Sequence, residues 1–265
     1  MRRLGMFALI VSFLGQISVA VAAEPSSESA PPVQASGRPT SARPSLEGIW
    51  QALNTASWNI QDHPGRVDAP AGLGIVVGND IPYQPWAAMK QKENWEKRAT
   101  DDPEKGCLLP GVPRITYMPF PFQITQTADN VTILYEYVGA FRVIDLTGTR
   151  PDRALPSFMG DSRGKWDGNT LVVDVKNFNG ANWFDRAGNF ASDDLHLVER
   201  YTPMGPDHLT YEVTVEDAKV FTRPWKMAMT LYRRKESNVQ LLEYECAEYA
   251  FEEEYLKGIE VPPTK

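Results

Sequence analysis

With two cysteines and three histidines in 265 residues, the chain is short of the groups that several kinds of chemistry need. So few thiols exclude a disulfide-dense scaffold and a multi-cysteine zinc site. H-E-x-x-H is absent, no two histidines stand at ligand spacing, and the glycines fit no phosphate-loop pattern, so no metal and no cofactor is expected. Basic clusters are missing too. The 27 lysines and arginines face 34 acidic residues, for a formal net charge of -7. A nucleic-acid partner is therefore excluded, because a phosphate backbone needs a basic face. What the chain does have is 42% hydrophobic and 11% aromatic residues, enough for a proper core. That rules out a disordered tail, a collagen-like fibre and a multi-span membrane protein.

Residues 1–23 have the form of a signal peptide. Arg2 and Arg3 precede an apolar run from Leu4 to Leu14, and small residues lead to cleavage after Ala22 or Ala23. The run is too short and interrupted to span a bilayer, so no membrane span is expected after cleavage. Losing the two arginines takes the formal net charge from -7 to -9. Residues 24–45 are dense in proline, serine and alanine and read as a disordered linker. Residues 46–257 read as one domain, followed by a tail over 258–265. Export to the periplasm or the medium would let Cys107 and Cys246 join. The alternative for this pair is a reactive thiol, although no histidine lies near either cysteine in sequence.

From Val131 onward, β-branched and aromatic runs follow one another with short breaks. The expected strands are Val131–Val138, Phe141–Leu146, Lys165-Trp166, Thr170–Lys176, Leu195–Thr202, Leu209–Glu216, Lys226–Arg233 and Gln240–Ala247. Asp167-Gly168-Asn169 marks a hairpin. Helical periodicity is expected at Pro85–Ala99 and in the C-terminal stretch Glu248–Lys257. The pattern predicts a mainly β fold, an antiparallel up-and-down barrel able to hold one small ligand, with a two-sheet sandwich as the alternative.

Alternation sorts side chains by face. Leu209, Tyr211, Val213 and Val215 share one face of their strand, which puts His208 on the other. Two strands break the order. Glu199 falls on the apolar face of Leu195–Thr202, and either face of Phe141–Leu146 carries a charge, Arg142 or Asp145. A buried carboxylate is costly unless paired. Two readings stay open: an ion pair across the barrel, for example Glu199 with Arg142, or a functional site. His196 and Glu199 lie three residues apart, so on a strand they face opposite ways. His196 shares its face with Arg200. His63, in the loop Gln61-Asp62-His63-Pro64-Gly65, is either a loop catalyst or a turn residue. Asp161 and Arg163 sit at the end of a long connection that starts near Thr147, the kind of loop that forms lids and site walls. The segment lacks the strand–turn–helix context of a nucleophile elbow, so nothing supports a serine hydrolase. Trp183 and Trp225 stand near strand starts, where they would either stack on a ring-shaped ligand or pack.

Several blocks resemble an uncharacterised family of exported bacterial proteins. They are Cys107-x-x-Pro110-Gly111-x-Pro113-Arg114, Gly160-Asp161-Ser162-Arg163-Gly164-x-Trp166-x-Gly168-x-Thr170-Leu171-Val172-Val173-Asp174, Asn182-Trp183-Phe184-Asp185, His196-x-x-Glu199-Arg200 and Pro224-Trp225. That likeness implies export and little about activity. Gly48-Ile49-Trp50 is similar to the opening of lipocalins, with Arg233-Arg234 in the place of their closing arginine. This second likeness implies a calycin-type barrel.

The expected function is action on a small apolar or aromatic molecule by cofactor-free acid/base chemistry, as in a lyase, isomerase, hydratase or hydrolase. Glu199, His196, Asp161, Arg163 and His63 are the catalytic candidates, and Arg142, Asp145, Trp183, Trp225 and Arg200 the substrate-binding ones. The alternatives are a non-catalytic, lipocalin-like carrier and an envelope interaction module.

Overall fold

A computed structural model describes residues 43–152, 155–244 and 246. The signal peptide, most of the linker, the helix expected at Glu248–Lys257 and the tail lie outside the described residues.

Nine strands in chain order close into one barrel. They are β1 (Gly48–Ala52), β2 (Phe122–Gln126), β3 (Asn130–Tyr135), β4 (Phe141–Asp145), β5 (Asp161–Asp167), β6 (Thr170–Lys176), β7 (His196–Pro203), β8 (His208–Glu216) and β9 (Trp225–Arg233). β1 and β9 close the ring through the pairs Trp50–Arg233, Gln51–Tyr232 and Ala52–Leu231. Closure leaves no free sheet edge, which decides against the sandwich.

The expected up-and-down barrel carries one parallel seam. Strands that alternate in direction cannot close an odd-numbered ring with every neighbour antiparallel. β4 and β5 take up the mismatch and run parallel, with Ile144 opposite Ser162 and Asp145 opposite Arg163. A parallel pair needs a crossover of about a dozen residues or more. The long connection of residues 146–160 is that return path. Its expected final segment is also corrected: Asp161–Gly164 belong to β5.

Alternation builds the core as expected. β8 buries Leu209, Tyr211, Val213 and Val215, and β6 buries Leu171, Val173 and Val175. His208 is exposed on the outside. Of the β9 set, Met227 and Leu231 are buried while Met229 is only partly so. Gly168-Asn169 forms the tight β5–β6 turn. Gly48 shows why the opening Gly-x-Trp matters. Its φ of 137° and the guanidinium of Arg233 leave no room for a Cβ. Arg233 lies 4.2 Å over the Trp50 ring and donates to the Glu47 carbonyl at 2.7 Å.

The strand directions put the ends of β1, β3, β6 and β8 at one end of the barrel, so the long loops 53–121, 177–195 and 217–224 gather there as a cap. Helix α1 (Pro85–Glu96) belongs to the cap and starts with proline, which suits a first helical turn. Gln91 and Asn94 on α1 donate to the Ala187 and Gly188 carbonyls. A disulfide joins Cys107 to Cys246 across 139 residues and fastens the cap to the chain beyond β9. The expected strand Gln240–Ala247 is absent over its described residues. β9 is already paired on both sides, by β8 and β1, so a tenth strand has no edge to join. Among the described residues no helix is long and apolar enough to cross a membrane.

Candidate functional site

The charges on apolar faces meet inside the barrel. Arg142 on β4 and Glu199 on β7 both point into the core, and each side chain is at most 2% exposed. Arg142 Nη1 donates to Glu199 Oε1 at 3.0 Å, and Nη2 donates to Oε2 at closer range. Its Nε donates to Ser162 Oγ at 2.8 Å. Two phenols complete the carboxylate's shell. Tyr211 and Tyr201 donate to Glu199 Oε1 at 2.6 and 3.2 Å. Burial works against the Arg142 charge, but the Glu199 carboxylate outweighs it and holds the guanidinium above its ordinary range. Burial first, and the Glu199 charge second, push both tyrosines far above the usual phenol range, so they remain donors at neutral pH. A buried, hydrogen-bonded pair of this kind ties together strands from opposite walls.

This network forms the floor of a cleft. β4 and β5 pair over only two residues, and toward the cap the crossover swings away from Phe141–Val143. The gap is a cavity of about 390 Å³. Phe141, Val143, Phe158 and Met159 supply apolar lining, while Arg142 and Ser162 sit where it meets the core. Ser157 also lines it, and its buried hydroxyl has no hydrogen-bond partner among the described residues. Gly160, with φ of 62°, turns the chain into β5, and a Cβ there would strike the Lys176 carbonyl and the Val175 side chain.

None of the expected catalytic residues lines this cleft, and Glu199 lies behind Arg142. His196 is on the outer face of β7, between Asp174 (2.7 Å to Nε2) and Glu216 (3.0 Å to Nδ1). Asp161 and Arg163 project from β5 opposite to Ser162. There they hold the crossover, Asp161 accepting from Arg150 at 2.5 Å and Arg163 donating to Asp152 at 2.6 Å. His63 is buried in loop 53–121, with Nδ1 donating to the Gln61 carbonyl at 2.8 Å, and its Nε2 has no partner among the described residues. The carboxylate of neighbouring Asp62 accepts from the Gly74 amide at 2.7 Å.

The binding candidates scatter as well. Asp145 closes a turn: its carboxylate accepts from the Thr147 hydroxyl at 2.8 Å and from the Thr147 and Gly148 amides. The Thr147 hydroxyl is the main cause holding its pKa below the ordinary range. Arg200 is on the outer face with Asp167. Trp225 is a core residue, edge-on to Phe184 and Phe221. Trp183 bridges to Phe190 within its own loop. Arg142 alone reaches the cleft. Among the described residues no three His, Cys, Asp or Glu side chains gather as metal ligands.

Some residues escaped the sequence reading although a signal existed. Tyr201 and Tyr211 share the alternation face of Glu199, so hydroxyls were due beside its carboxylate. Gly160-x-Ser162-x-Gly164 does match the spacing of a nucleophile elbow. Ser162 is the second residue of β5, however, its hydroxyl accepts from Arg142, and a strand instead of a helix follows. Ser157 and Phe158 carried no signal, because a crossover has no periodicity.

No family model matches the chain, and no curated protein matches it significantly. Among solved structures, the crystal structure of a point mutant of the fluorescent protein UnaG is similar at a TM-score of 0.33 and 13% identity. The likeness covers 72% of this chain and 97% of that one.

Proposed function

We propose that this protein binds a small molecule with an apolar body and one hydrogen-bonding end in the cleft at the β4–β5 seam, after export to the periplasm or the medium. The opening in the barrel wall carries the reading. A recess of about 390 Å³ with Phe141, Val143, Phe158 and Met159 beside Arg142, Asn179 and a buried, unpartnered serine hydroxyl suits such a ligand. The disulfide fits an oxidising compartment. The Arg142–Glu199 pair is the floor of this site and not its chemistry. Every Glu199 contact named above is to a core side chain, and none leaves the carboxylate facing the cleft. Proton transfer by Glu199 and His196 on one substrate would need both on one side of β7, where they are on opposite sides.

The reading is tested by titration with anilinonaphthalene sulfonate, an apolar dye with a polar end. Val143→Trp fills the recess from a partly exposed position and should weaken binding about tenfold or more, at an unchanged melting temperature. Equal binding by wild type and variant would place the dye elsewhere and overturn the assignment. Competition by a panel of aromatic and aliphatic ligands then narrows the natural class. Turnover of any compound that the cleft binds would restore the enzyme reading.

A further inference from the structure

The cap holds a second recess that the cleft does not need. Its volume is about 340 Å³, and its lining includes Trp58, Arg66, Asp68, Arg98, Lys105 and Arg186. Four cations and one carboxylate thus surround one cavity in a chain whose net charge is -7.

The three arginines are held in place. Arg66 and Arg98 lie 4.3 and 4.0 Å from the centre of the Trp95 ring. Both also bond Asp68, at 3.1 and 2.9 Å. The Arg98 and Arg66 hydrogen bonds drop the Asp68 carboxyl to about 2, so it is ionised at neutral pH. Arg186 lies 4.4 Å from the centre of the Trp58 ring and is paired with Glu104. Lys105 is exposed and makes no ion pair among the described residues. Guanidinium groups stacked on aromatic rings lose little freedom when an anion arrives, which favours binding over a comparable set of mobile lysines.

We propose that this recess is a binding site for a compact organic polyanion, with two or more phosphate or carboxylate groups on one small skeleton. The guanidinium groups would take the anionic oxygens pairwise, Lys105 would add a point charge, and Trp58 would offer its ring to the skeleton. Asp68 is the counterion such a ligand has to work against.

Calorimetric titration at low ionic strength with pyrophosphate and, separately, citrate tests the site and tells phosphate from carboxylate recognition. At least one anion should bind, more weakly as salt is added. Lys105→Glu should weaken that binding about tenfold, and Asp68→Asn should strengthen it about threefold, as expected for charges several ångströms away in a watery site. Lys165→Glu makes the same change in net charge on the outer wall of β5 and should leave affinity unaltered. The proposal fails if neither anion binds, if either recess variant leaves affinity unchanged, or if Lys165→Glu matches Lys105→Glu. Asp68 and Lys105 are both exposed, so neither variant threatens folding.

Discussion

The barrel interior and the cap both bury arginine against carboxylate, and they do so by different means. Inside, one arginine on β4 meets one glutamate on β7, and the remaining contacts come from tyrosine and serine on other strands. In the cap, Arg114 bonds both oxygens of Asp102 at 2.7 and 2.8 Å and also reaches Glu104 at 2.7 Å. Glu104 is shared with Arg186, so the charges form a chain. Burial opposes the Arg114 charge, but Asp102 and Glu104 keep the guanidinium above its ordinary range. Asp185 lies close by, fully buried, and accepts from the Ile60, Ala187 and Asn189 amides and from the Asn189 side chain. The interior network joins rigid strands across the ring. The cap network gives shape to chain that has almost no regular structure. Loss of a partner should therefore be costlier inside, where no second counterion stands near.

The sharpest break is Arg142→Met. It leaves the Glu199 carboxylate buried with only phenols and should cost about 4–5 kcal/mol in urea unfolding. The double variant Arg142→Met/Glu199→Met should regain much of that loss, since an apolar pair replaces an ion pair without an orphaned charge. If the double variant is no better than the single, the pair does more than neutralise itself. Next comes Arg114→Met in the cap. Asp102 is left buried with the Glu104 amide, but Glu104 keeps Arg186, whose charge also acts on Asp102, so the expected cost is smaller, about 3–4 kcal/mol by the same measurement. A larger loss than for Arg142→Met would reverse the comparison. Replacing Cys246 by serine should cost about 3 kcal/mol, chiefly by freeing the unfolded chain. Amide exchange should then rise in the cap around Cys107 and stay unchanged in β6–β8.

Asp185 gives the smallest and most specific effect. Burial pushes its carboxyl up to about 6, against the pull of the Asn189 and Ile60 donors and of Arg114. Its proton is held more tightly in the folded chain than in the unfolded one. The stability it contributes is thus complete below about pH 4 and is lost as pH rises through about 6, up to about 2–3 kcal/mol in all. Unfolding of wild type and Asp185→Asn from pH 4 to 7 should show that slope in the wild type alone. Parallel curves would mean that the carboxyl titrates alike in both states.

The two regions also differ in how far the residues announced them. Glu199 stood out because alternation put it on an apolar face, and Arg142 because its strand carried a charge whichever way it turned. Period-two patterning reports direction, and direction is what brought these two together. Nothing similar marks Asp102, Arg114 or Asp185, whose backbone follows no period. The barrel itself was legible at β3 and β4 and again from β6 to β9. β2 was lost beside the proline-rich run before Phe122, and half of β5 was absorbed into the preceding loop. The parallel seam was invisible, since a strand's own residues do not say which way its neighbour runs. The cleft is a consequence of that seam, and for that reason only Arg142 among the expected site residues lies on it.

The central claim is that the gap between β4 and β5 is where a ligand sits. Amide chemical-shift mapping with anilinonaphthalene sulfonate tests it directly. Shifts should concentrate in residues 141–143 and 156–160, with the outer face around His196 silent. Shifts confined to His196 and its neighbours, or to the cap around Trp58 and Arg98, would contradict it.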